Sequence, residues 1–183
     1  INLSSERHVL GGSSFNQIFN KIGSEAPGIS NVSIFKNAFN VLQELILEEK
    51  IISGHDVSSG GLITSLLEMC FPSKGVGMEI NLTSLKEKDT TALLFAENSG
   101  WILQSEMDLT DYFNSFGIDC KSIGIVTGKG RLKTFNNQDE LDLDVSEYRD
   151  VWFSSSAALD ARQNKFAKER FENYGSIPLK FNF

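Results

Sequence analysis

Apolar residues recur along this chain at two spacings, and the spacing changes several times. Between residues 31 and 50, Phe35, Ala38, Phe39, Leu42, Leu45 and Ile46 return at three- and four-residue steps. That period places them on one face of a helix. Lys50 follows near its end, where a cation meets the negative pole of the helix dipole. A second long helix is predicted from Leu62 to Phe71, after the Gly60-Gly61 break, with Leu62, Leu66, Leu67 and Met69 facing the core. Phe15, Ile18, Phe19 and Ile22 predict a shorter helix, capped by Ser13 or Ser14 and ended by Gly23 and Pro27. Another spans Asp108 to Phe116, with Leu109, Tyr112, Phe113 and Phe116 inward and Gly117 as its stop. The last helix is expected from Val145 to Phe171, before an irregular tail over 172–183 that contains Pro178.

Between these segments the spacing falls to two. Val76, Met78, Ile80 and Leu82 alternate as one face of a strand. Ile51 to Gly54 reads as a short buried strand. Residues 92–95 and 101–104 read as two short strands about an Asn98-Ser99-Gly100 turn. Residues 122–127 and 131–135 flank Gly128-Lys129-Gly130 as a hairpin, and Leu141, Leu143 and Val145 alternate again. The first ten residues look extended. The expected class is α/β or α+β, with one mixed β-sheet flanked by helices.

With 183 residues, 40% of them hydrophobic, the chain can bury the core of one domain, or of one domain and a tail. Seventeen basic residues against 24 acidic ones give a net charge of −7, which lacks the basic excess of a general nucleic-acid binder. A nucleotide carried with a divalent cation remains open, because the metal supplies its own positive charge. No apolar run approaches the ~18 residues of a membrane span, and no export signal is visible. The sequons at Asn2, Asn31 and Asn81 are therefore read as chance. Cys70 and Cys120 lie in apolar stretches and are expected to be buried thiols in a reducing, cytoplasmic setting. The chain opens on Ile1, which suggests a piece of a longer polypeptide.

Three stretches carry candidate chemistry. In Gly54-His55-Asp56-Val57-Ser58-Ser59-Gly60-Gly61-Leu62, an aspartate leaves a strand and enters a glycine-rich loop ahead of a helix. There a carboxylate can hold Mg²⁺ while loop N–H groups hold phosphate oxygens, and the Ser58 hydroxyl can reach the same phosphate. The competing reading is that Asp56 and Ser58 only cap the helix, and loop logic alone leans slightly that way. Leu10-Gly11-Gly12-Ser13-Ser14 is a second glycine-rich helix entry. It has neither a Walker loop nor dinucleotide glycine spacing, and a tight turn is the simpler reading. Glu97 and Asn98 follow an apolar run, as ligands or, more simply, as turn residues. His8 and His55 are the only histidines, so neither a paired-histidine metal site nor a thiol-hydrolase pair is available. Beside an aspartate, His55 reads as an orienting or core residue.

In this order and spacing, Leu10-Gly11-Gly12-Ser13, then His55-Asp56-Val57-Ser58-Ser59-Gly60-Gly61-Leu62 with Leu66-Leu67-Glu68-Met69, then Leu94-Phe95-Ala96-Glu97 resemble phosphoribosylformylglycinamidine synthase. The chain is similar to the second C-terminal-type lobe of its synthetase core, in the aminoimidazole-ribotide-synthetase (PurM-like) superfamily. The resemblance implies a lobe over 1–150 and a helix and tail over 151–183. That tail, with Trp152 and Ser154-Ser155-Ser156, would lead toward a glutaminase domain of the same polypeptide. It implies a purine-synthesis ligase that uses ATP and glutamine, and an auxiliary, structural Mg²⁺–ATP/ADP site. By the same resemblance Asp56 holds the metal, Ser58, Gly60 and Gly61 contact the nucleotide, and Gly11, Gly12 and Ser13 lie near ligand phosphate. The remaining synthetase lobes and small nucleotides are the implied partners, with no nucleic acid or membrane. Many members carry Asp where this chain has Ser59, which lowers the local negative charge. This chain alone is not expected to catalyse the overall reaction.

Overall fold

The computed structural model describes residues 1–162 apart from 5, 6 and 30, with residues 166, 169 and 173 beyond them. The helices are α1 (Ser14–Ile18), α2 (Val32–Leu47), α3 (Gly61–Cys70), α4 (Thr90–Phe95), α5 (Thr110–Ser115) and α6 (Val145–Ala161). The strands are β1 (Ser53–Asp56), β2 (Gly77–Asn81), β3 (Trp101–Gln104), β4 (Gly124–Thr127), β5 (Arg131–Asn136) and β6 (Asp139–Asp144). The expected continuation of the last helix to Phe171 and the tail with Pro178 lie outside the described residues.

Asn31 caps α2 by accepting the Ser33 and Ile34 N–H groups, which fixes where the helix begins. The helix buries Ala38, Val41, Leu42 and Leu45. Phe39 and Ile46 stand half exposed, because the buried stripe is narrower than the apolar one. Its core partners are Leu3, Phe113 of α5 and Ile118. Tyr112 and Phe116, expected inward, face out of the short α5. Helix α1 also falls short. It ends before Asn20, which has φ 54°, and it leaves Ile18 and Ile22 exposed.

The larger core gathers Ile63, Leu66, Leu67 and Cys70 of α3, Met78 and Ile80 of β2, Leu93 and Leu94 of α4, and Leu132 of β5. Leu62 and Met69 pack against its rim. Burial pushes the Cys70 thiol up to about 11, so little reactive thiolate exists near neutrality. Cys120 is half-buried rather than buried, and burial raises its thiol as well. Cys70 should resist alkylation in the native chain at pH 8 and react once urea is added, as peptide mass mapping would show.

The core sheet is mixed, as expected, with strand order β4-β2-β5-β6. It does not contain the expected 122–135 hairpin. β2 lies between β4 and β5, antiparallel to the first and parallel to the second. The Gly128-Lys129-Gly130 loop instead passes over the start of β2, where the Gly130 N–H donates to the Gly75 carbonyl at 2.7 Å. Two strand spacings are about 10 Å, within reach of three residues. Gly77 and Gly124 allow this close fit, since a Cβ at either would lie 2.2 Å from a neighbouring backbone oxygen. β6 completes the sheet beside β5.

A separate two-stranded ribbon pairs β1 with β3 in antiparallel register, Asp56 opposite Trp101. Its first strand begins later than expected and is mostly exposed rather than buried. The 92–95 run is not a strand. Asp89 accepts the Ala92 N–H and caps it as α4, whose Leu93 and Leu94 pack into the larger core. Four consecutive apolar residues fit either element, and the cap decides.

Candidate functional site

The site lies where β1 ends and α3 begins. Gly60 and Gly61 take φ values of 89° and 77°, a left-handed pair that turns the chain sharply from strand to helix. Gly61 also lets the first turn of α3 sit on the end of α4. A Cβ there would come within 2.7 Å of the Leu94 oxygen and the Phe95 carbonyl carbon.

The helix-cap reading of Asp56 and Ser58 does not hold. Gly60 is the N-cap of α3, and neither Asp56 nor Ser58 gives it a side-chain cap. The Asp56 side chain is 70% exposed and accepts no hydrogen bond from the described residues; His55 Nδ1 lies 3.6 Å from its Oδ1. The geometry leaves this carboxylate available to solvent at the end of β1. Ser58 contributes its carbonyl to the turn, accepting the Gly61 N–H at 2.9 Å. Ser59 is exposed.

Glu97, which composition alone reads as a turn residue, joins the two glycine-rich loops. Its Oε1 accepts the Gly60 N–H at 2.8 Å and the Ser14 N–H at 2.8 Å. Burial works against its charge, but these two N–H groups and the Ser14 hydroxyl outweigh it and hold the carboxyl below the ordinary glutamate range. The sequence signal was present in the Leu94–Glu97 run, but nothing local says what the carboxylate reaches. Asn98 is buried and pins the N-terminal segment, donating to Ser4 Oγ at 2.6 Å and the Arg7 carbonyl at 2.9 Å.

The loop over residues 10–14 is brought to the site, but its polar groups are largely committed. Gly12 N–H donates to the Ile22 carbonyl and Ser13 N–H to the Leu10 carbonyl. The Ser13 hydroxyl also donates to Leu10 and accepts the Asn16 N–H as the cap of α1. Gly11 packs so tightly that a Cβ would lie 1.8 Å from the Glu25 oxygen. This geometry is the tight turn that the residues suggest. Its contribution to the site runs through Ser14 and Glu97.

A Mg²⁺ ion prefers hard oxygen ligands and often takes one or two protein carboxylates beside phosphates and waters. Asp56 fits as one such ligand. Among the described residues no three His, Cys, Asp or Glu side chains cluster as a self-sufficient metal site. No described helix is long and apolar enough to cross a membrane.

A ribbon-and-sheet fold with this glycine-rich strand-to-helix turn has a family counterpart. Residues 2–136 match the model of the AIR synthase related protein C-terminal domain, and the chain belongs to that family. Among individual proteins, it is 30% identical over 99% of its length to the probable chloroplastic/mitochondrial phosphoribosylformylglycinamidine synthase of Arabidopsis thaliana. It is 32% identical over 88% of its length to the human phosphoribosylformylglycinamidine synthase. The chain spans only 13% and 12% of those two relatives. A solved structure of T. maritima PurL complexed with AMPPCP shares the fold, with a TM-score of 0.51 and 14% identity over 58% of this chain and 20% of that one.

Proposed function

We propose that this chain is a lobe of the synthetase core of a phosphoribosylformylglycinamidine synthase. In that reading residues 1–150 form the lobe, and the segment from 151 leads toward a glutaminase domain of the same cytoplasmic polypeptide. The complete protein is an ATP- and glutamine-dependent ligase of purine synthesis, and this lobe contributes an auxiliary nucleotide site. The observation that carries the reading is the exposed Asp56 carboxylate at the end of β1, ahead of the Gly60-Gly61 turn into α3.

Asp56 would bind Mg²⁺, and the Ser58 hydroxyl with the Gly60-Gly61 turn would lie against the nucleotide. Gly11, Gly12 and Ser13 shape the neighbouring loop, close to phosphate. When bound, the metal would neutralise phosphate charge, with Asp56 as the ligand this lobe supplies. The chain's own part is to present one carboxylate and one hydroxyl from a rigid turn. One aspartate is insufficient to retain metal alone, so tight nucleotide binding and turnover belong to the complete polypeptide.

The test is bound nucleotide, counted after denaturing purified complete protein. Asp56→Asn keeps the side-chain shape and loses the charge, and should lose most of its ADP. Ser58→Ala should cost about 0.5–1.5 kcal/mol, one neutral hydrogen bond. A folded Asp56→Asn protein with stoichiometric ADP would show that this lobe is scaffold only.

A further inference from the structure

Three side chains outside the metal and nucleotide contacts form a continuous chain that ends at Asp56. His55 precedes it on β1, and its Nε2 lies 3.2 Å from Glu68 Oε2 on α3. The other Glu68 oxygen, Oε1, accepts the indole N–H of Trp152 at 2.9 Å. Trp152 lies on α6 and packs its ring against Phe71, with centroids 5.6 Å apart. The contacts therefore run from α6 through α3 to β1.

The far end of this chain acts on backbone. The Asp56 carboxylate accepts no hydrogen bond among the described residues, so what the fold fixes is the Cα–Cβ direction, set by the peptide that carries it. The buried Ser65 hydroxyl donates to the Asp56 carbonyl at 3.0 Å and His55 Nδ1 faces the same oxygen at 2.6 Å, so that with Nε2 on Glu68 both ring nitrogens face oxygen acceptors. The His55 and Glu68 side chains are 28% and 22% exposed, shielded enough for their contact to hold its geometry.

From this geometry we infer that Trp152 and Glu68 are positioning residues for the Asp56 carboxylate, with His55 as the link. Trp152 orients Glu68, Glu68 fixes the His55 ring, and the ring holds the peptide from which Asp56 projects. Partners that orient a metal ligand without touching the metal commonly change metal affinity by 10- to 100-fold when removed. The inference rests on the Mg-nucleotide reading above, and it makes the packing of α6 a determinant of metal binding.

The experiment measures, in the complete polypeptide, the Mg²⁺ concentration needed to retain ADP, and separately the binding of ADP without metal. Trp152→Phe keeps an aromatic ring near Phe71 and removes the N–H together with the second ring of the indole. It should raise the Mg²⁺ requirement about three- to tenfold, and Glu68→Ala about tenfold or more, with metal-free ADP binding unchanged. Glu68→Gln retains an oxygen for Trp152 and should fall between Glu68→Ala and the parent. In an Asp56→Asn background, Trp152→Phe should have no further effect. Equal losses with and without Mg²⁺ would overturn the inference in favour of a merely structural role. A parental Mg²⁺ requirement in Trp152→Phe and Glu68→Ala, beside an Asp56→Asn protein that loses nucleotide, would overturn this inference alone. An Asp56→Asn protein that keeps its nucleotide would overturn the Mg-nucleotide reading and this inference with it.

Discussion

Replacing Gly61 by alanine should cost about 3–5 kcal/mol of stability, enough to unfold a marginal domain. Two penalties act together. At φ 77° a Cβ strains the backbone, which costs about 1–2 kcal/mol. The added methyl would also lie 2.7–2.8 Å from the Leu94 oxygen and from the Phe95 carbonyl carbon and Cα. These are backbone atoms of α4, and they cannot rotate aside. Relief requires α3 to move away from α4, and the two helices share the larger core through Ile63, Leu66, Leu93 and Leu94. Gly60→Ala is the comparison. Its φ is just as positive, but the closest contact is with the Thr64 hydroxyl, which can change rotamer at the loss of its bond to the Gly60 carbonyl, leaving only the Thr64 Cβ at 2.9 Å to be relieved by a small shift. Urea unfolding of the two variants should therefore rank Gly61→Ala well below Gly60→Ala. Equal midpoints would mean that the contact between α3 and α4 is looser than the geometry indicates.

The same pair of glycines shows what a sequence can and cannot reveal. Their position after Asp56 and before an apolar helical run marks a strand-to-helix turn, and the periodicity of α2 and α3 places both helices correctly. Elements whose identity depends on distant partners were less legible. Residues 92–95 are apolar throughout, and only the Asp89 cap and the contact with α3 make them helix. The Gly128-Lys129-Gly130 turn has hairpin chemistry, but β2, more than forty residues upstream, occupies the place between the strands it joins. Local rules fix the turn and say nothing about what fills it. At the site, the Asp56 loop was legible as a turn into a helix, but whether Asp56 caps that helix was not, because a capping and a free aspartate share the same local sequence. The Glu97 bridge was not, because an acceptor at a strand or helix end looks the same whether it faces water or two backbone N–H groups from elsewhere in the chain.

That bridge should therefore matter more than its composition suggests. Glu97→Ala leaves the Gly60 and Ser14 N–H groups without their acceptor, and hydrogen bonds to a charged group are each worth about 1.5–3 kcal/mol. Some water can replace the carboxylate, so the expected loss is about 2–3 kcal/mol. Glu97→Gln retains an oxygen in nearly the same place and loses the charge, and about 1 kcal/mol is expected. The pH dependence gives a sharper test, and its sign follows from the direction of the shift. The carboxyl is held below its ordinary value when folded, so its contribution is fully present above the unfolded pKa, about 4.3. It fades as pH falls through that value toward the lower, folded one. The stability gap between the parent and Glu97→Ala should be flat from pH 7 to pH 5.5 and narrow below pH ~4.5. A gap that stays constant to pH 3 would show that the carboxylate charge does not hold the two loops together, and that Glu97 acts there only through its shape.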